Sequence, residues 1–209
     1  MYINTDTLAT YKSQNEIRNA FPNSCFPVEI TNEILASINI MPVAETAPVF
    51  DHVIEKAVEI QPALINGVWT QQWEAVPLFT TQEEIDKAYA DHLVYHKELK
   101  NDEINQARLE ANNSFFMHLG KKISCDSLSR GDIDAMNGIV TLNNAMPPGW
   151  VGFWKTADNE YIPINTVDEW KAFYTSMFIA GAMNFGHAQQ LKAQVAAATS
   201  HDEVMAIHW

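Results

Sequence analysis

The chain has 209 residues, of which 47% are hydrophobic and 19% are charged, a composition that excludes wholesale disorder and allows one or two domains with a packed core. Thirteen Lys and Arg residues stand against 26 Asp and Glu residues, so the formal net charge is −13 at pH 7. Because phosphate backbones repel so acidic a chain, we expect no nucleic-acid binding. Its apolar stretches fall far short of the roughly 20 residues that span a bilayer. Residues 1–6 lack a basic start followed by an apolar core, so we also expect no signal peptide.

The acidic charge and the cysteines bear on domain organisation and compartment. Residues 1–105 hold 6 basic and 16 acidic side chains, whereas residues 106–209 hold 7 and 10. This shift favours a boundary near the middle of the chain. Cys25 and Cys125 are 100 positions apart, and two cysteines alone make neither a disulfide framework nor a zinc site. We therefore expect reduced thiols in a cytoplasm, with Cys125 in a strand as a buried, inert thiol.

The first 80 residues contain six of the nine prolines, which leaves room only for short elements because proline interrupts both helices and sheet ladders. Ser13 and Glu16 form a capping-box pattern that predicts a short helix from Asn15 to Phe21. A second short helix is expected over residues 31–38, with Thr31 as its cap, and a strand is expected over residues 38–43.

An Asn66-Gly67 pair between two β-rich runs predicts a hairpin. Both central residues of a type I′ turn need positive φ, which Asn and Gly tolerate best. We expect the strands to cover residues 58–65 and 68–76.

A long helical segment follows, because neither Pro nor Gly occurs from Glu83 until Gly120. Thr80 and Glu83 fit a capping box at its start. The apolar stripe is narrow, which is typical of a connector or of one strand of a coiled coil. The pattern allows one unbroken helix, and equally a break near residue 101.

The last 90 residues alternate hairpin and helix signals. Hairpins are expected around Gly120 and between residues 150–154 and 161–164, and a helix is expected to open at residues 129–132. Thr166 and Glu169 form a capping box for a helix running to about Ala198, and Ser200 with Glu203 caps a final helix ending at Trp209.

Taken together, these elements predict an α+β chain. We expect a small β-hairpin-rich N-terminal domain at residues 1–79, a helical connector at 80–102, and a mainly helical C-terminal domain with short hairpins at 103–209.

Catalytic patterns are scarce. His92 and His96 are four apart on the predicted helix, so both imidazoles could face one metal ion. The intervening residues lack the Glu general base of His-Glu-x-x-His, and we expect no metal site. Asp132 and Asp134 are expected in the first turn of a helix, where carboxylates favour the helix dipole. No nucleophile elbow and no Gly-rich phosphate loop occurs. We therefore expect no catalytic residues, no cofactor and no enzymatic activity.

Tryptophans are the remaining signal. Trp69 and Trp73 are four apart, as are Trp150 and Trp154, and even spacing in a strand places each pair on one face. Tryptophan pairs of this kind occur in small hydrophobic cores and on surfaces where aromatic rings stack on sugars. We favour the core for both pairs. An exposed pair is first of all a protein-binding anchor, so these four residues are our candidate partner-binding residues.

Several segments of the C-terminal half resemble an uncharacterised domain family found at the C-terminus of tailed-phage and prophage tail proteins. The resemblance covers roughly residues 103–209. Its blocks, in order, are 154–159, 167–174, 184–185, 190–193, 197–199 and 206–207.

The N-terminal half is similar to small phage tail proteins encoded beside fibre genes, many of them tail fibre assembly proteins. The similarity lies in short blocks: 16–18, 21–24, 26–27, 41–43, 67–69 and 73–74. It implies no catalytic residue and no cofactor.

The resemblance implies a chaperone-like binder of a phage tail fibre, acting in the host cytoplasm during assembly. Fibres are β-rich trimers whose slow strand pairing exposes edges that a small partner could cover. The alternative is a structural component of the virion tail or baseplate that docks a fibre. A metal-dependent hydrolase is the alternative of another class. The partner would be a tail fibre or other tail protein, and the long helix allows a homo-oligomer without demanding one.

Overall fold

The computed structural model describes residues 1–209 and has an α+β fold, as the sequence predicts. The chain forms two compact units, Met1–Ala90 and Asp91–Trp209. The three-part division at residues 79/80 and 102/103 stays a prediction. No helix of the chain combines the length and the apolar character needed to cross a membrane.

The first unit opens with a small three-stranded antiparallel sheet in the order β2-β1-β3. Ser13 caps α1 by accepting a hydrogen bond from the N–H of Glu16, which confirms the predicted cap. Thr31 is the N-cap of α2, although its side chain makes no capping hydrogen bond. The core of this part is formed by Ile17, Ile30, Leu35 and Ile40. The elements are β1 (Tyr2–Asn4), β2 (Thr10–Tyr11), α1 (Gln14–Ala20), α2 (Asn32–Ser37) and β3 (Ile40–Pro42).

The second part of this unit is the predicted hairpin, formed by β4 (Glu55–Ile65) and β5 (Val68–Pro77). Asn66 and Gly67 occupy the turn with φ values of +50° and +82°, as a type I′ turn requires. The strand register shifts between Ile60 and Ala63, so the N-terminal strand carries a bulge at residues 61–62.

Helix α3 (Gln82–Asn112) is continuous through residue 101. The alternative of a break near residue 101 is therefore wrong, and the unbroken helix is confirmed. Its predicted cap is wrong by one position. The N–H of Glu84 donates to Thr81 Oγ1, while the Glu84 carboxylate accepts from the N–H groups of Thr80 and Thr81. The helix ends before Phe115, where the sequence predicts the first strand of the hairpin around Gly120.

The second unit contains two further hairpins and three helices. The hairpin around Gly120 and the one between residues 150 and 164 are both present. Helix α4 begins earlier than expected, since Asp126 is its N-cap and accepts from the N–H groups of Leu128 and Ser129. Asp132 and Asp134 therefore do not lie in its first turn, which contains no acidic residue. The elements are β6 (Phe115–His118), β7 (Lys121–Ser124), α4 (Ser127–Asn143), β8 (Phe153–Lys155), β9 (Tyr161–Pro163), α5 (Val167–Ala197) and α6 (His201–Met205).

The final helix is shorter than the sequence predicts. It ends at Met205 instead of Trp209, although Ser200 caps it as expected by accepting from the N–H of Glu203. Ile207 is nevertheless buried, so the residues after the helix still pack on the unit.

Two hydrophobic clusters hold the second unit together. The larger gathers residues from both hairpins and from α4 and α5, with Trp170 and Phe173 fully buried at its centre. The smaller joins α3, the C-terminal half of α5 and the chain end. Its members are Ile104, Ala188, Leu191, Val195 and Ile207.

The predicted capping box of α5 is present. Thr166 Oγ1 accepts from the N–H of Glu169, and the Glu169 carboxylate accepts from the N–H of Thr166. These bonds satisfy helix N–H groups that have no partner within the helix. The same hydrogen bonds lower the pKa of Glu169, with the N–H groups of Asn165 and Thr166 as the main donors.

We expect Thr166→Ala to lower the free energy of unfolding by about 1 kcal/mol, because the helix loses its capping acceptor. Urea denaturation followed by circular dichroism measures the change. Thr166→Ser keeps the hydroxyl and is the matched control. Equal destabilisation by both substitutions would contradict a role for the cap.

Candidate functional site: the exposed hairpin and the tryptophan cluster

The tip of the β4–β5 hairpin is apolar on both faces and exposed. Ile65 stands opposite Val68, and Leu64 stands opposite Trp69, so the two pairs project to opposite faces of the ribbon. Leu64 is 59% exposed and Val68 is 52% exposed, while Trp69 is half-buried. A two-stranded hairpin is at best marginally stable alone, and apolar surface of this kind marks interaction sites. The tip is therefore the first candidate surface for a partner.

The two edges of the hairpin differ. The β5 edge is covered by an irregular segment, since the N–H of Ala44 donates to the Trp69 carbonyl and the N–H of Gln71 donates to the Ala44 carbonyl. Strand β4 has no second strand beside it. Pro62 lies at its bulge, and proline with a bulge is a common device against unwanted edge pairing. Apolar side chains at the tip are thus better placed than the edges to bind a partner.

Trp69 and Trp73 have different surroundings in the hairpin. The indole N–H of Trp73 donates to the carbonyl of Thr46 at 3.0 Å, and Thr46 Oγ1 donates to the carbonyl of Gln71. Trp73 thus helps to hold the covering segment on β5. The indole of Trp69 lies next to the exposed tip. Both are half-buried, and partner binding by either stays a prediction.

Trp150 and Trp154 belong to the tryptophan cluster, which we define as these two residues with Trp170 and Phe173. The rings of Trp150 and Trp154 are stacked with centroids 6.2 Å apart, and Trp150 donates its indole N–H to the carbonyl of Ile164. Trp154 lies 5.4 Å from Phe173 between ring centroids. The two are half-buried against the core, as expected of tryptophans that close a small core. Partner binding here also stays a prediction.

A polar cleft of about 410 Å³ opens beside the tryptophan cluster. Its lining includes Trp150, Trp154, Ser129, Asp132 and Lys155. The edges of the indole rings therefore reach a concave surface with one acidic and one basic group. This arrangement can bind a polar chain segment.

A second groove, of about 550 Å³, runs between β6 and α5 and is mainly apolar. Ser176 lines it, and His118 Nδ1 lies 2.8 Å from Ser176 Oγ. Ser176 Oγ also lies within hydrogen-bond distance of the carbonyl of Ala172, at 3.0 Å.

Sequence reasoning missed His118, whose side chain is buried and lies edge-on to Phe173. Burial lowers the pKa of His118 below its usual value of 6.5, since a buried site disfavours the charged imidazole. A signal was present in the sequence: alternation along Phe115–His118 places His118 on the same face as Phe116, which faces the core.

Cys125 is buried and has a raised pKa, chiefly because of that burial. It lies just beyond the end of β7, so its predicted place within a strand is wrong by one residue. Cys25 is exposed and free. No group of three or more His, Cys, Asp or Glu side chains is arranged to hold a metal ion.

The model of one family, described as a domain of unknown function (DUF4376), matches residues 95–208. The match covers 114 of the 209 residues. The chain belongs to the DUF4376 family. No curated protein and no solved structure matches it. The DUF4376 region contains the tryptophan cluster, both clefts and His118, whereas the exposed hairpin lies outside it.

Burial of His118 predicts that the stability of the fold depends on pH. The unfolded state takes up a proton on His118 more readily than the folded state, so the free energy of unfolding should fall as pH falls below about 6.5. Urea denaturation at about pH 8 and about pH 5.5 measures the difference. This interval lies above the range in which the carboxylates titrate.

His118→Gln should reduce that pH dependence, because the titrating group is removed. His187→Gln is the matched control, since His187 is exposed. An unchanged pH dependence in His118→Gln, or an equal reduction in both variants, would contradict the assignment to His118.

Proposed function

We propose that this chain is a phage tail protein of the tail fibre assembly type, which binds a tail fibre through the exposed tip of the β4–β5 hairpin. The observation that carries the proposal is the apolar tip, with Leu64, Ile65 and Val68 exposed. The resemblance of both halves to phage tail proteins supplies the setting. The host cytoplasm is the proposed location during assembly.

Physical chemistry supports a binding role for this tip. Exposed aliphatic side chains gain about 25 cal/mol for each Å² of apolar surface that a partner covers. Trp69 adds a large, rigid ring on the face that it shares with Leu64, and tryptophan is typical of binding hot spots. Fibre chains that have not yet trimerised expose the complementary apolar strands. Covering those strands would reduce misassociation until the trimer forms.

The chain's acidity supports the same role. A net charge of −13 keeps a protein with an exposed apolar tip soluble through self-repulsion. Glu55, Lys56, Glu59 and Glu74 lie on the hairpin stem behind the tip. These charges lie among exposed apolar side chains of the stem such as Val58 and Ile60, whereas the tip carries no charged side chain.

The proposal is tested by co-expression with the tail fibre protein of the same phage or prophage genome, followed by size-exclusion chromatography with light scattering. We expect a soluble fibre trimer whose yield depends on this chain, and a complex of defined stoichiometry. A fibre that trimerises equally well alone, without a complex, would contradict the assembly role. Fixed stoichiometry in purified virions would favour the structural tail component instead.

Leu64→Glu and Trp69→Ala should each weaken fibre capture at least about tenfold, because loss of a hot-spot side chain typically costs 2 kcal/mol or more. A pull-down titration with the purified fibre measures the affinity. Leu142→Glu is the matched control, since Leu142 is exposed on α4 and lies outside the hairpin. Unchanged capture by folded Leu64→Glu and Trp69→Ala variants would reject the hairpin tip as the contact.

The double substitution Trp69→Ala with Trp73→Ala removes both candidate tryptophans of the hairpin. Trp73→Ala also removes the hydrogen bond to Thr46, so circular dichroism must confirm that the double variant is folded. Trp73→Phe separates the two effects, because it keeps the ring and loses only the indole donor.

A further inference from the structure

Three imidazole rings meet in the second unit where the end of the chain returns to α3. His92 and His96 lie one turn apart on α3, and His201 is the first residue of α6. The ring centroids are 4.3 Å apart for His92 and His96, 4.5 Å for His96 and His201, and 5.4 Å for His92 and His201. All three side chains are half-buried. The sequence predicts the pair on α3, but only the fold adds His201.

The two helix histidines present the same kind of nitrogen to one point. His92 Nε2 and His96 Nε2 are 3.1 Å apart. Two nitrogens bound to one tetrahedral zinc ion at 2.0–2.1 Å are separated by about 3.3 Å. The pair is therefore within a few tenths of an ångström of the spacing that a shared zinc ion needs. At present one ring donates a hydrogen bond to the other; with a metal ion, both rings would carry their proton on Nδ1.

His201 supplies a third imidazole beside the pair, with its ring edge-on to that of His96 at an interplanar angle of 84°. Its Nδ1 lies 3.5 Å from Oδ1 of Asp202, and a carboxylate at one ring nitrogen leaves the other nitrogen for a metal ion. The three nitrogens do not yet converge into a closed set. A rotation of the His201 ring, which is 40% exposed, is the adjustment that full coordination requires.

We propose that His92, His96 and His201 form a binding site for Zn²⁺ or another late first-row divalent ion, with water at the remaining position. Imidazole is a preferred ligand of these ions. We assign the site a structural role, because none of the three intervening residues on α3 is the Glu that would activate a bound water. A bound ion would tie the start of α6 to α3. It would add to the existing bond in which Lys97 Nζ donates to the carbonyl of Ala196.

Isothermal titration of the purified full-length chain with Zn²⁺ tests the site. We expect one ion per chain, and loss of this binding in His92→Gln and in His96→Gln, since glutamine keeps a polar side chain but removes the imidazole ligand. His201→Gln should bind at least about tenfold more weakly, because even loss of an outer-shell partner costs about 10–100-fold. His187→Gln, which removes an exposed imidazole outside the cluster, should bind like the wild type.

A second readout separates this site from weak binding by surface histidines. Zn²⁺ should raise the Tm of the wild type and of His187→Gln, and leave that of His96→Gln unchanged. Circular dichroism without metal shows whether each variant is folded.

Three results would overturn the proposal: no stoichiometric binding by the wild type, retained binding in folded His92→Gln and His96→Gln, or an equal loss in His187→Gln. Unchanged affinity in His201→Gln would reject the link between α3 and α6. None of these outcomes bears on fibre capture, which depends on the hairpin.

Discussion

The burial of one face of α5 organises the second unit. Trp170 and Phe173 are fully buried and Met177 nearly so. Both hairpins and α4 contribute to the same cluster. None of the short hairpins could persist alone, because two strands without a covering layer are marginal in water. The long helix supplies that layer, and Trp150 and Trp154 close the cluster from the side of the β8–β9 hairpin. The geometry of the cleft beside the tryptophans follows from this packing.

The first unit depends on a much smaller core. Four buried aliphatic residues hold the three-stranded sheet against α1 and α2, while the hairpin leaves its apolar tip uncovered. Because the tip stays exposed to water, folding does not gain the hydrophobic free energy that burial of these side chains would release. The two units therefore divide their roles physically. One buries its aromatic rings in a core, and the other keeps apolar side chains available at the end of a ribbon.

The two proposals rest on separate features of the chain. Fibre binding is argued from the exposed apolar tip in Met1–Ala90, whereas metal binding is argued from three imidazoles in Asp91–Trp209. The histidine cluster lies where the chain end meets α3, close to the smaller cluster that includes Ile104 and Ile207. A metal ion there would act on stability and leave the proposed contact with a fibre unchanged.

Local signals in the sequence were sufficient for most elements. The Asn66-Gly67 turn and the Ser13, Thr166 and Ser200 caps each depend on residues near one another in the chain. The sequence by itself therefore determined the hairpin, the caps of α1, α5 and α6, and the α+β class. Boundaries were less certain where two signals competed. At the start of α3, the cap is formed by Thr81 with Glu84 and not by Thr80 with Glu83. Helix α4 likewise begins after Asp126, earlier than the sequence predicts.

Only the tertiary structure decided which residues that are distant in sequence come into contact. The indoles of Trp150 and Trp154 lie against Trp170 because α5 folds back over β8. The spacing of the two tryptophans in the sequence could not distinguish a core from an exposed stacking surface. His118 meets Ser176, and His201 meets His92 and His96, only through the return of α5 and α6. These contacts depend on the packing of whole helices, which no local pattern encodes. The sequence thus determined most elements and the caps of α1, α5 and α6, while the fold determined which side chains are buried, which are exposed and which imidazoles meet.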